Sequence, residues 1–147
     1  MSLFLGGTSS ANECHDYEEG SFTMSLSQGS NTSNSGRYVK IGTIVLAAGN
    51  VSLDNISSGS NVQINGLPFT SDGGGVGRSY NGAIRGYNCS NISGSGMRPT
   101  NAVIHGDGTN VQFGTFESAQ AWSMMQYNDF TSTNNSIRWT CVYKSND

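Results

Sequence analysis

Charged residues are scarce in this chain, and the scarcity excludes several classes of function. Only 12% of its 147 residues are charged, and seven Lys and Arg stand against ten Asp and Glu. The formal net charge of -3 leaves no basic surplus of the kind that binds nucleic acid. We therefore expect no nucleic-acid partner.

Paired cysteines and long apolar runs are lacking as well. Cys14, Cys89 and Cys141 are odd in number and include no CxxC pair, which predicts free thiols rather than a disulfide framework or a zinc site. No stretch approaches the ~18–20 apolar residues that a membrane-spanning helix needs. The start MSLFLGG has no basic residue, so neither a signal peptide nor membrane insertion is expected.

Small polar residues fill almost half of the chain. Gly, Ser, Asn and Thr occur 20, 23, 16 and 11 times, and the hydrophobic share is only 35%. Six Phe, six Tyr and two Trp nevertheless supply bulky side chains for a core. A chain of this length builds a single core. Its composition favours a folded all-β protein with many turns over a disordered chain.

Alternation of apolar and polar residues predicts β-strands along most of the chain. In the last strand, one face would carry Ile137, Trp139, Cys141 and Tyr143, and the other Arg138, Thr140, Val142 and Lys144. We predict that the face with Trp139 is buried. The apolar residues Phe22, Met24 and Leu26 alternate with polar residues in the same way. Further strands are predicted over 38–41, 44–48, 51–56, 61–65, 79–87 with a break, 102–105 and 111–116.

Turn residues separate these strands at short intervals. We predict a polar loop over 28–36, turns at Gly42-Thr43 and Gly49-Asn50, and a hairpin turn over 106–109. The stretch 119–125 fits either a short helix or a strand. Many short antiparallel strands of this spacing are typical of a β-sandwich or a jelly-roll-like fold, which is the architecture we expect.

Four short phrases follow one another along the chain. They are DYEEGSFT at 16–23, GRYVKIGTIV at 36–45, INGLPFTS at 64–71 and SIRWTCVYK at 136–144. Together they resemble a β-sandwich module of tail-fibre, tailspike and other virion structural proteins of tailed bacteriophages. In that module an acidic DYEEG-type entry leads into a strand, and a YxKIG hairpin and an I-x-GLPF strand end follow. The resemblance runs from about Leu5 to Lys144.

The resemblance implies a homotrimer in a virion, assembled in the cytoplasm of a bacterial host. Residues 1–19 are expected to form an extended N-terminal arm, and residues 20–147 the β-sandwich domain. The arm would dock on other virion proteins through Leu3, Phe4, Leu5 and Tyr17. Trimer formation also has a physical motive, because burial between copies would add stability to a small core.

No arrangement of acids, bases or nucleophiles in the sequence predicts catalysis. The acids beyond the arm are Asp54, Asp72, Asp107, Glu117, Asp129 and Asp147. Most lie among turn formers, where Asp favours backbone hydrogen bonds, and Glu117 is the least explained. His15 follows Cys14 but lacks the three or four converging ligands of a metal site, and His105 heads a hairpin. We expect no catalytic residue, metal or cofactor.

Four aromatic residues lie in or near loop-rich segments and are candidates for contact with glycans. Tyr80, Tyr87, Trp122 and Tyr127 have many Asn and Ser neighbours. Flat rings stack on sugar faces while amides and hydroxyls supply hydrogen bonds. The alternative for each is that the ring packs inside the sandwich or between subunits, since large aromatics dominate cores and interfaces.

The expected function is that of a non-enzymatic virion structural protein. The first hypothesis is a trimeric tail-fibre or tailspike tip module that contacts polysaccharide on the host surface. The alternative is a trimeric capsid decoration, or cement, protein that stabilises the head through its N-terminal arm. The partners would accordingly be further copies of the chain and a tail protein or the major capsid protein.

Overall fold

The computed structural model describes residues 3–4, 13–14, 16–29, 34–53, 58–73, 79–87, 99–115, 123–130 and 135–147. Within these ranges the chain forms twelve β-strands and one short 3-10 turn at Tyr127–Asp129. The strands are β1 (Leu3–Phe4), β2 (Glu13–Cys14), β3 (Tyr17–Thr23), β4 (Ser25–Leu26), β5 (Asn34–Ile41), β6 (Ile44–Leu53), β7 (Gln63–Asn65), β8 (Ser79–Tyr87), β9 (Pro99–His105), β10 (Asn110–Thr115), β11 (Ser123–Met124) and β12 (Asn135–Lys144). In the described part of the chain no helix is long and apolar enough to cross a membrane.

Ten of the strands form one antiparallel sheet. Its order is β3-β5-β6-β12-β8-β9-β10-β7-β4, and β11 pairs with β10 beside β7. All the pairings are antiparallel, which confirms the all-β antiparallel class expected from the alternation in the sequence. A sheet of so many twisted strands curls up rather than staying flat.

Two strand segments turn the corners of this sheet and close it into a flattened barrel, or sandwich. At the first corner only Met24 separates β3, which begins the strand order, from β4, which ends it. At the second corner β8 changes partner. Its first half, up to Gly82, pairs with β9, and its second half, from Ala83, pairs with β12. The two halves of the sheet therefore face each other across a single core.

Gly82 is at the point where β8 changes partner. A Cβ atom at this position would lie 2.1 Å from the carbonyl oxygen of Thr140 and 2.8 Å from the Cα of Cys141. Only a residue without a side chain lets the two backbones approach so closely. The corner of the sandwich therefore depends on a glycine.

The core is filled from the inward faces of both halves. Alternate residues of β12 are buried, among them Ile137, Trp139 with 2% of its surface exposed, Cys141 and Tyr143. The prediction that Trp139 faces the core is thus confirmed. Opposite them lie Ile104, Val111 and Phe113 of the second half, together with other side chains of the same cluster. The side chains of Phe22, Met24 and Leu26 also point inward, as predicted.

Two predicted hairpin turns are confirmed. Gly42 joins β5 to β6 with a φ of 58°, and Asp107 adopts the same left-handed angle between β9 and β10. Glycine and aspartate are residue types that accept this conformation in tight turns. The Ser71 side chain holds the second turn, because its hydroxyl donates to the His105 carbonyl at 2.6 Å and accepts from the Gly108 amide at 3.2 Å.

Other local predictions are wrong in detail. No turn occurs at Gly49-Asn50, because β6 runs straight through to Leu53 and pairs along its whole length with β12. The predicted loop over 28–36 is too long, since β5 starts at Asn34. The backbone of β8 is unbroken, and what changes within it is the partner strand. Of the ambiguous stretch 119–125, the described part contains the short strand β11.

The predicted boundary between arm and sandwich is also displaced. Tyr17–Thr23 is one strand, so the sheet begins three residues before Gly20, and Tyr17 belongs to the sandwich rather than to an extended arm. Ahead of it, β1 and β2 pair with each other, Leu3 opposite Cys14 and Phe4 opposite Glu13. Among the described strands neither pairs with the main sheet.

Candidate functional site

The outward face of β5, β6 and β12 carries large apolar side chains. Ile41, Ile44, Leu46 and Val142 are 44–51% exposed. Strand register makes them neighbours: Ile41 pairs with Ile44, and Leu46 pairs with Val142 on the other side of β6. We call these four residues the apolar patch. Contiguous exposed apolar surface of this kind marks sites of interaction with other molecules.

The patch arises because β6 is apolar on both of its faces. Val45, Ala47 and Val51 point into the core, while Ile44 and Leu46 alternate with them and point outward. A strand that is covered by the core on one side and by water on the other normally alternates apolar with polar residues. The nearly continuous apolar run IVLAA was therefore a signal in the sequence that this strand is apolar on both faces.

Charges of opposite sign flank the apolar patch. On one side β3 carries Glu19, which accepts a hydrogen bond from the Tyr17 hydroxyl at 2.7 Å. This hydrogen bond to a carboxylate raises the pKa of Tyr17. On the other side Lys144 of β12 forms an ion pair with Asp72 at 3.0 Å, and Arg138 lies further along the same strand. The face is thus acidic at the β3 edge and basic at β12.

Further along the strands the outer surface is hollow rather than bulky. The small residues Gly36, Ala48 and Gly49 form its floor, between the side chains of Arg37 and Arg138. Hydroxyls and an amide complete the wall of this open groove of about 530 Å³, supplied by Ser21, Ser35, Thr140 and Asn50. We call it the arginine groove.

Two arginines line this groove, and a third is the cross-strand neighbour of one of them. Arg138 of β12 is directly opposite Arg85 of β8, and Arg37 of β5 lies across β6 from β12. All three side chains are exposed, and none forms an ion pair with a described acid. Like charges directly opposite each other on a sheet destabilise it. The pair Arg85–Arg138 is therefore not explained by the stability of the sheet.

The aromatic residues predicted to contact glycans do not form one surface. The prediction is wrong for Tyr127, which is fully buried and whose hydroxyl lies 3.2 Å from that of Ser27 and 3.4 Å from the Gln63 carbonyl. Tyr80 is half-buried, and its ring centroid is 6.3 Å from that of Tyr143. Only the backbone of Tyr87 is described, in β8, and Trp122 lies outside the described residues.

The docking residues expected in the arm can be followed only in part. Leu3 and Phe4 lie in β1, where the backbone is described, and Leu5 lies outside the described residues. Tyr17 is half-buried in β3 and bonded to its own neighbour Glu19. It cannot extend with a free arm, because its strand pairs with β5 from Ile41 onward.

Three of the described acids beyond the arm stabilise turns or strand ends. Asp107 supplies the hairpin turn, and its carboxylate packs against the backbone of Gly73. A carboxylate oxygen of Asp129 accepts from the Gln126 amide at 2.7 Å and caps the 3-10 turn. Asp72 is the partner of Lys144. Asp107 and Asp129 thus lie in turns, as predicted, while Asp54, Glu117 and His15 lie outside the described residues.

The buried ionisable groups of the core have the character of packing residues. Desolvation raises the pKa of the Cys141 thiol to about 11, so it is protonated at neutral pH and a poor nucleophile. Burial also raises the pKa of Tyr143, whose hydroxyl donates to the Phe69 carbonyl at 3.1 Å. Among the residues described above, no three of the His, Cys, Asp and Glu side chains are grouped as a metal would require.

Comparisons of the chain with protein-family models, curated proteins and solved structures find no match. Its function must therefore be argued from its own residues. Two features of one sheet face have no explanation in the fold, namely the apolar patch and the arginine groove. Both are on the sheet face that points away from the core.

Proposed function

We propose that the protein is a non-enzymatic structural module of a phage virion, of the tail-fibre or tailspike type, that assembles through its apolar patch. The observation that carries this proposal is the exposure of 44–51% for four large apolar side chains at adjacent register positions. Each such side chain contributes about 1.5–3 kcal/mol when a partner buries it fully, before the costs of association. A module that assembles with other molecules can bury such an apolar face in the contact.

Further copies of the chain are the partner that the charges favour. Glu19 lies at one side of the patch, and Lys144 and Arg138 lie at the other. In a head-to-tail contact the acidic side of one copy can meet the basic side of the next. Such heterologous contacts form a closed ring when the rotation between copies allows it. A three-fold ring agrees with the trimer that the resemblance to fibre and spike proteins implies.

The proposed contact with the host surface rests on the resemblance to fibre and spike proteins and on the stronger binding that a trimer provides. Three identical sites on one particle tip bind a repetitive surface much more strongly than one site does, because the second and third contacts are intramolecular. A shallow site with weak affinity is then sufficient. With Tyr127 buried, a glycan contact of the module cannot use this member of the predicted aromatic set.

A capsid decoration protein is the second candidate, and one observation favours it. In the described part of the chain β1 and β2 form a two-stranded sheet of their own, separate from the strands of the sandwich. A small N-terminal element with its own strand pairing is suited to clamping a neighbouring protein on a head surface. In this hypothesis the apolar patch holds the trimer together and the N-terminal element attaches it.

Replacement of Leu46 by Lys tests the assembly role. Leu46 is outward and 44% exposed, so the folded chain tolerates the change, whereas an interface would bury an unpaired ammonium. We expect the concentration needed for assembly to rise at least about tenfold, which corresponds to a cost of 1.4 kcal/mol. Sedimentation velocity over micromolar concentrations measures it.

Ser25→Lys is the matched control for this experiment. Ser25 is an exposed strand residue of β4, in the other half of the sheet, so the same charge is added away from the patch. Its assembly should equal that of the parent chain. A parent chain that stays monomeric at these concentrations, or a Leu46→Lys variant that assembles as the parent does, would show that the patch is not an interface.

A further inference from the structure

We propose that Arg37, Arg85 and Arg138 form a binding site for carboxylate groups of an acidic polysaccharide. The site is the arginine groove on the outer face of the first half of the sheet. The proposal rests on the proposed function in one respect, that the module faces a glycan-covered surface. It assigns the contact to residues that were not among the aromatic candidates.

Geometry brings the three guanidinium groups to one surface. Arg37 and Arg138 both line the groove, and Arg85 is the cross-strand neighbour of Arg138. Two strand spacings separate β5 from β12, so the backbones of Arg37 and Arg138 are on the order of 10 Å apart across the sheet. This distance suits two anionic groups on a repeating polymer better than one small ion.

The electrostatics of the groove indicate an anionic ligand. Three of the seven basic residues of the chain are gathered here, although the protein as a whole has a net charge of -3. None of the three has a described acid as ion-pair partner. The repulsion between Arg85 and Arg138 is relieved when a carboxylate lies between them. Arginine is suited to this task because its planar fork binds a carboxylate through two parallel hydrogen bonds.

The lining of the groove favours a polysaccharide over an acidic protein. Its floor is made of Gly36, Ala48 and Gly49, and its wall offers the hydroxyl of Thr140 and the amide of Asn50. Sugar hydroxyls can hydrogen-bond to such groups. Protein partners instead gain most of their affinity by inserting an aromatic or other large anchor into a deep pocket, which this open groove does not provide.

The end of the groove at Arg85 and Arg138 can be occupied at the same time as the apolar patch. Arg138 is four residues from Val142 along β12, a distance of about 13 Å along the strand. Leu46 and Val142 would be covered by the neighbouring copy, with Arg37 at the border of the covered area, whereas Arg85 and Arg138 lie towards the opposite end of the strands. The trimer would present three such grooves at the rim of its interfaces.

Binding to polygalacturonate, a polymer of a carboxylated sugar, tests the proposal. The full chain should bind immobilised polygalacturonate and not neutral dextran, with an affinity that falls as salt is added. The variant Arg37→Gln/Arg85→Gln/Arg138→Gln should lose at least tenfold in affinity. Arg85→Lys/Arg138→Lys keeps both charges but not the fork, and it should lose several-fold.

Lys40→Gln is the control for net charge. Lys40 lies on the opposite side of β5, with its ammonium 4.7 Å from the centroid of the Phe69 ring, so one positive charge is removed away from the groove. Its affinity for polygalacturonate should stay within twofold of the parent. Urea midpoints of all variants show whether a loss of binding comes from a loss of folding.

Three results would overturn the proposal. These are an absence of binding to polygalacturonate, unchanged binding by the folded triple variant, and equally tight binding to double-stranded DNA. The last result would make the groove a general polyanion surface. Assembly in sedimentation is a separate readout. A chain that assembles but binds no polygalacturonate contradicts this inference alone, and a chain that binds but stays monomeric contradicts only the assembly role.

Discussion

At the scale of the residue, Gly82 is the position where one missing side chain decides the architecture. An added Cβ would meet the carbonyl oxygen of Thr140 at 2.1 Å, and a backbone atom of a central strand cannot move aside cheaply. We predict that Gly82→Ala destabilises the fold by about 3 kcal/mol, near the top of the range for overpacked sites. Urea denaturation followed by tryptophan fluorescence measures the change.

Gly59→Ala provides the comparison for Gly82→Ala. Gly59 is exposed, and an added Cβ would meet nothing within 4 Å. Its unfolding midpoint should equal or slightly exceed that of the parent, since alanine reduces the freedom of the unfolded chain. If both glycine variants unfold at the parent's midpoint, the close approach of β8 to β12 is not a constraint on the fold.

The buried thiol and phenol of β12 lower the stability of the fold at alkaline pH. The pKa of Cys141 is raised by burial from 9.0 to about 11, and that of Tyr143 is raised by the same cause. Between pH 9 and 11 the unfolded thiol is ionised while the native thiol keeps its proton. Unfolding then releases a proton, so stability is complete below pH 9 and falls as the pH rises towards 11.

A series of urea midpoints from pH 7 to pH 11 measures this loss of stability. The parent chain should hold a constant midpoint up to about pH 9 and lose stability above it. At pH 7 the urea midpoints of Cys141→Ala and Tyr143→Phe should be equal to or lower than that of the parent chain. Above pH 9 their midpoints should decline less steeply than the parent's. A parent midpoint that stays flat to pH 11, or identical slopes in all three proteins, would contradict buried neutral groups at these positions.

At the scale of the element, the sequence predicts best where burial depends on local alternation. The two faces of β12 were readable because its polar and apolar residues strictly alternate, and Trp139 is in the core as that pattern requires. Gly49-Asn50 was misread as a turn because this dipeptide is typical of hairpins. Pairing of β6 with strands on both sides keeps it extended, and that long-range pairing leaves no local signal.

The elements of the candidate site could be predicted only one strand at a time. The run around Ile44 and Leu46 predicted a strand over 44–48, and the structure then showed that β6 is apolar on both faces. Strand register places Ile41 and Val142 beside them, and it also places Arg37 and Arg138 at one groove. This register joins segments some hundred residues apart in the sequence. The burial of Tyr127 is likewise non-local, since its hydroxyl lies near Ser27 and Gln63 rather than near its polar sequence neighbours.

At the scale of the whole molecule, closure of the sheet separates structure from function. The inward side chains of both halves complete one core, so the outward face of β5, β6 and β12 contributes nothing to it and is free to evolve as a contact surface. Its two parts differ in chemistry along the strands, with Leu46 and Val142 in one part and Arg85 and Arg138 in the other. One face can therefore serve both assembly and ligand binding.

The N-terminal element provides the last test of how the molecule is used. Deletion of residues 1–12 removes β1 and leaves the strands of the main sheet with all their described pairings. We expect the truncated chain to keep the parent's urea midpoint, because β3 begins only at Tyr17. It should also assemble as the parent does, since the apolar patch lies on other strands.

What the truncated chain then does on the particle separates the two candidate functions. If the N-terminal element clamps a neighbouring protein, as the decoration hypothesis requires, purified particles lacking the protein should take up the full chain and not the truncated one. If the module is a fibre or spike tip, the truncated trimer should still bind polygalacturonate through Arg37, Arg85 and Arg138, with unchanged affinity. Unfolding of the truncated chain would contradict both expectations, because it would make β1 part of the core rather than an attachment element.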